Sequence, residues 1–136
     1  MKLFTRRQPI APVLPDRVPD FLADLAEIAP LHARQTHRFI APCGMCRGFV
    51  QFGHCPFGLV TVHRIWTHAP GQGHGSAILN TLCTLADQHD IHIHLKALPF
   101  GATPYPLSRD SLLDWYRRHG FEGTHKKLVR TPRHAA

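Results

Sequence analysis

Apolar positions along this chain change period several times, and the changes mark out its elements. In DFLADLAEIA, residues 20–29, Phe21, Leu22, Leu25 and Ile28 fall on one face of a 3.6-residue period. That spacing predicts an amphipathic helix, which Pro30 ends. From Gln35 to Trp66 the pattern shortens to HRFIAP, RGFVQFGH and FGLVTVHRIW, rich in β-branched and aromatic residues and separated by Pro, Gly and Cys. These predict three consecutive strands in an antiparallel meander. Ile78, Leu82 and Leu85 then recur at i, i+4 and i+7, which predicts a helix over residues 75 to about 88.

In DIHIHLKAL, Ile91, Ile93, Leu95 and Ala97 face one way and His92, His94 and Lys96 the other, the alternation of a half-buried strand. Ser108 is a suitable N-cap for a helix through RDSLLDWYRRH, with Gly120 to stop it. THKKLVRTP reads as a last short strand. The proline-rich start makes residues 1–17 an extended arm or a first strand, and PFGATPYPL a connection. The order is helix, three strands, helix, strand, helix, strand. This is an α+β layout with a mixed, largely antiparallel sheet flanked by helices and a strand-turn-helix unit at its centre.

Composition bounds the picture. A chain of 136 residues, 43% hydrophobic, suits one domain, residues 1–136, with one core. No segment reaches the roughly 18–20 apolar residues of a membrane span, and the basic N-terminus lacks an apolar signal core, so a cytoplasmic protein with no membrane partner is expected. The net charge of +7, with 12 histidines that add charge in mild acid, suits a polyanionic partner. The cations are scattered in sequence, so charge admits nucleic acid as a partner without requiring it. Four cysteines in such a chain read as thiols.

The stretch THAPGQGHGSAIL sets Gly71, Gly73 and Gly75 at alternate positions between a predicted strand and a predicted helix. A helix start offers unpaired N–H groups and the positive end of the dipole, and glycines let a ligand approach that backbone, so a phosphate or pyrophosphate is the natural occupant. No Lys-Ser/Thr pair follows, which excludes a P-loop, and the surroundings are too short for a dinucleotide fold. On strand alternation His63 shares a face with Thr61 and Ile65, where an imidazole can accept a proton from a substrate.

The turn PGQGHG, residues 70–75, taken with WYRRHGF, residues 115–121, resembles the GNAT superfamily of acyl-CoA-dependent N-acetyltransferases. The resemblance runs from about Phe57 to Pro132, and the PF…LS…L…WY…GF segment is similar to compact phage and bacterial-type members. It implies acetyl-CoA as co-substrate. Its pyrophosphate would lie against Gly71, Gln72, Gly73, His74, Gly75 and Ser76, and its pantetheine arm along Ile65, Trp66 and Thr67. A backbone N–H near Ile65 would polarise the acetyl carbonyl, Tyr116 would return a proton to the departing thiolate, and His63 is the candidate base. The acceptor is a primary amine on a small molecule, a protein or a modified nucleic acid, and the enzyme acts as a monomer or homodimer. Pro70 stands where the family usually has Arg or Gln.

Cys43-x-x-Cys46 with His54 and Cys55 offers four zinc-ligating side chains, but neighbours within a strand point to opposite faces, so no metal is assigned. Cys83 falls on the second helix, in or near the core. The alternative reading is a catalytically inactive GNAT-fold or zinc-stabilised module that binds nucleic acid or protein through its basic face, with Pro70 marking the loss of the cofactor site.

Overall fold

The structure, a computed structural model, describes residues 16–41, 43–53, 55–56, 58–67, 73–96 and 109–133. Its elements run α1 (Val18–Ile28), β1 (Leu31–Ala33), β2 (Thr36–Ile40), β3 (Cys46–Phe52), β4 (Leu59–Thr67), α2 (His74–His89), β5 (His92–Leu95), α3 (Arg109–Arg118), β6 (Glu122–Thr124) and β7 (Lys127–Arg130). Among the described residues the sheet is 7-stranded, in the order β1-β2-β3-β4-β5-β7-β6. Only the β4/β5 pair is parallel. The expected α+β class with a mixed, largely antiparallel sheet is what forms.

The three helices lie on one face of this sheet. Phe21 of α1 meets Phe52 of β3 edge-on, with centroids 6.2 Å apart, and meets His89 of α2 at 6.4 Å. α2 packs over β3 and β4, so that Val50, Val60 and Val62 close on Ile78, Leu79 and Leu82, all buried. α3 lies beside α2, and the helix-side Arg130 of β7 ties the two. It donates to the His119 carbonyl just past α3 at 2.9 Å and to both carboxylate oxygens of Asp87 on α2 at 2.7 and 3.0 Å. His37 donates from Nδ1 to the Ala29 carbonyl at 2.8 Å, which fixes β2 beneath the end of α1.

The ends of the helices follow local chemistry. Pro19 sits in the first turn of α1. α2 stops at Asp90, with φ 60°, and the turn after α3 closes at Gly120, with φ 94°. β3 and β4 approach closely only because residue 48 is glycine: a Cβ there would lie 2.3 Å from the Trp66 carbonyl oxygen.

Two expectations are corrected. Ile28 ends α1 on the solvent side, 52% exposed, while Val18, two residues before the expected start, is buried. The meander has an extra edge strand, β1, and the last strand is the second arm of a hairpin whose first arm is β6. Residues 1–15, Ala97 and Ser108, for which the sequence set expectations, lie outside the described residues.

Candidate active site

β4 carries a bulge. Opposite it, Gln51 pairs with Arg64 but Phe52 pairs with Val62, so His63 is an extra residue with no opposite number. The burial pattern records the consequence: Val60 and Val62 are buried, His63 and Arg64 are both exposed, and Ile65 is buried again. This overturns the expected alternation. Ile65 points toward the helices, whereas Thr61 and His63 point to the opposite, open face, because one inserted residue reverses a period of two.

β4 is also released from its other neighbour at this point. Register with β5 holds only at Leu59, Val60 and Thr61, opposite His92, Ile93 and His94. Pairing stops there, and β5 itself ends at Leu95, one residue further on. Residues 62–67, including Ile65, Trp66 and Thr67, therefore present one backbone edge with no strand against it among the described residues.

This edge runs toward the start of α2. Gly73 caps the helix in the left-handed region, with φ 78°, and the first helical bond runs from the Ala77 N–H to the Gly73 carbonyl at 3.0 Å. The N–H groups of His74, Gly75 and Ser76 precede that bond and have no helical partner. No acidic side chain occupies the first turn. These residues fit an anionic group, since the amides and the positive dipole end converge without a carboxylate to compete. Gly71 and Gln72, the other members of the expected turn, lie outside the described residues, as do His68 and Pro70.

α3 holds this helix start in place, a relationship that the sequence motif did not reveal. A side chain at Gly75 would meet the Trp115 ring at 3.6 Å and Thr67 at 4.0 Å, and Trp115 Nε1 donates to Ser76 Oγ at 3.0 Å. Trp115 thus joins the end of β4 to the first turn of α2. Its own carbonyl accepts from His119 Nδ1 at 2.9 Å.

Tyr116 follows Trp115 on α3 and is buried, 1% exposed, between the Trp115 and Phe121 rings with centroids at 4.8 and 5.5 Å. Burial pushes its phenol above the ordinary tyrosine value and so favours the protonated form. His63 and Tyr116 consequently stand on opposite sides of the sheet. Among the described residues no three His, Cys, Asp or Glu side chains group as a metal site. Cys43 is exposed, Cys46 and Cys55 are half-buried, Cys83 is buried, and His54 lies outside the described residues.

No family model and no curated sequence matches this chain. Solved structures do. The fold is similar to that of an acetyltransferase of the GNAT family from Staphylococcus aureus Mu50, with a TM-score of 0.52 at 11% identity over 90% of this chain and 82% of that one. The chain has the GNAT fold. The same fold is shared with Ard1 from Thermoplasma volcanium, with a TM-score of 0.55 at 14% identity over 82% of this chain and 78% of that one. It is shared too with the anti-CRISPR protein AcrVA5, with a TM-score of 0.54 at 17% identity over 71% of this chain and 98% of that one. At such identities the likeness is one of backbone architecture, and what the GNAT fold does here rests on the residues at its bulge and its glycine turn.

Proposed function

We propose that this chain transfers an acetyl group from acetyl-CoA to a primary amine by direct attack. The observation that carries the reading is the β4 edge beyond Thr61, without a strand against it among the described residues, which runs toward the helically unpaired amides of α2; the wedge is the space beside that edge. An amide-bearing pantetheine arm suits that edge as an added strand along Ile65, Trp66 and Thr67. The amides of His74, Gly75 and Ser76, with Gly71, Gln72 and Gly73 of the turn, would receive the pyrophosphate. The bulge at His63 frees backbone groups beside Ile65, and an N–H there would stabilise the charge that grows on the acetyl oxygen as the amine adds.

The two proton movements then divide between the two faces. His63, on the open face, would take the proton released by the attacking amine, directly or through water. Tyr116, on the helix face, would donate to the departing sulfur. Its buried phenol is a weak acid in the resting protein, but a thiolate formed in the same dry surroundings is a correspondingly stronger base. The wedge is the passage between the two sides.

Isothermal titration calorimetry with acetyl-CoA at moderate and at high salt tests the reading. Saturable one-to-one binding that survives added salt supports it; no binding would favour a chain that keeps the fold without the co-substrate. Gly73→Glu, which sets bulk and negative charge beside the amides where there is open space now, is expected to abolish that binding while the domain stays folded.

A further inference from the structure

Among the described residues, the face of the sheet turned away from the helices carries mostly positive charge. Register aligns Arg38 of β2, Phe49 of β3 and Trp66 of β4 in one transverse row. Phe49 and Trp66 stack with centroids 5.0 Å apart and planes 22° from parallel, His32 closes on Phe49 at 5.1 Å, and Arg64 lies over the indole at 4.7 Å. Across β4, Thr61 and Leu59 align with His94 and His92 of β5, and Lys127 of β7 lies on the same face. Partial burial first, and then the nearby Lys127 and His92, lower the His94 imidazole below its ordinary value. The cluster is crowded with its own charge.

Among the described residues no ion pair answers this charge. Both ion pairs among the described residues, His89 with Asp24 and Arg130 with Asp87, join groups on the helix side. Arg64, His63, His92, Lys96 and Lys127 are exposed, and among the described residues no ion pair reaches them. The acidic residue that register puts on the open face is Glu122, on the outermost strand β6. Like charges gathered without counter-charges raise the free energy of the fold, and an anionic partner removes that cost.

We propose that this open face binds single-stranded nucleic acid. Arg38 and Lys127 stand four strand spacings apart, roughly 20 Å, which exceeds a small anion and matches several consecutive phosphates. The Phe49–Trp66 pair between the cations supplies apolar aromatic surface for bases, a combination that an acidic peptide does not need. Arg64 is held on the indole by a cation–π contact, which presets its donors toward solvent. The inference shares Trp66 and His63 with the acetyl-transfer reading but does not require it, since its test reads binding and not turnover.

The test is fluorescence anisotropy of a labelled twelve-nucleotide oligothymidine titrated with the full chain. Saturable binding is expected, with log Kd against log salt of slope about 2 in magnitude, for some three phosphates at about 0.7 each. Arg38→Gln with Arg64→Gln and Lys127→Gln should weaken it at least tenfold. If that variant fails to fold, the exposed pair R64Q/K127Q carries the test, with a loss of at least fivefold. Arg17→Gln with Arg118→Gln, which removes two helix-side cations, should leave affinity unchanged. No binding up to about 100 μM protein at low salt, or equal losses in the helix-side variant, overturns the proposal. Equally tight, equally sensitive binding of a polyglutamate of the same length also overturns it, in favour of an acidic protein partner.

Discussion

Trp115 donates its indole N–H to Ser76 Oγ at 3.0 Å, so the helix that carries Tyr116 is fastened to the helix start that faces the wedge. Trp115→Phe keeps most of the ring but removes the donor. A hydrogen bond of this kind contributes about 1 kcal/mol. The variant should lose about that much stability in urea unfolding and bind acetyl-CoA several-fold more weakly. Ser76→Ala should do the same, and the double variant should be no worse than either one, because both delete one bond.

Tyr116→Phe should lower turnover at least tenfold while acetyl-CoA affinity stays within about twofold, since the ring packing is kept and only the phenolic proton is removed. Calorimetry beside steady-state rates separates the two quantities. A turnover equal to that of the parent chain would take Tyr116 out of the proton path.

Asp87 links acid sensitivity to the joint between α2, α3 and β7. Partial burial alone would raise its carboxyl, but hydrogen bonds from Arg130 and from the Arg133 N–H outweigh that and hold it below the ordinary carboxylate range. A group with a lowered folded pKa contributes stability above its unfolded value of about 4, and that contribution drains away as pH falls through the folded value. Asp87→Asn should therefore cost about 2 kcal/mol at pH 7 and much less near pH 3. Urea melts at the two pH values would show the difference. The pair is less costly to break than a fully enclosed one, because Asp87 is 28% exposed while Arg130 is buried.

The thiols should separate by burial. Desolvation, only partly offset by Arg130, pushes Cys83 up to about 11, and burial also raises Cys55, against a weaker opposing hydrogen bond from the Thr61 backbone. With the thiolate as the reactive form, Cys83 at pH 8 is ionised in only about one molecule in a thousand. In native protein a maleimide or disulfide reagent should label exposed Cys43 first and leave Cys83 unmodified until denaturant is added. Mass mapping of the labelled peptides reads this directly. Prompt labelling of Cys83 in native protein would mean that α2 opens locally.

Long periodic segments were legible in the sequence: α2, α3, β5 and the β2–β4 meander each bury a face whose spacing sets their type. β1 and β6 were not, because each has three exposed residues and so no apolar period to read. Ile28 was misplaced by the same logic, since a helix end can satisfy the spacing and still overhang the core. The glycine turn and the WYRRHGF segment pointed to the wedge. They could not show the bulge at His63, which adds one residue without changing any local composition and thereby sends His63 and Ile65 to opposite faces. The scattered cations were visible one by one, but only strand register shows that Arg38, Arg64 and Lys127 share a surface. Trp115 was visible as part of WYRRHGF, but its bond to Ser76 spans 39 residues that no local pattern connects.

The short register between β4 and β5 makes the sheet two half-sheets sewn together by three aligned positions, Leu59, Val60 and Thr61. Each half has its own antiparallel ladder, and this short parallel seam joins them. On the proposed reading, a pantetheine arm added to the β4 edge would extend that seam. Occupancy and mechanical unity are thus the same variable in this fold: amide exchange at Ile93 and His94 should slow on ligand addition well before exchange in the β2–β3 ladder responds.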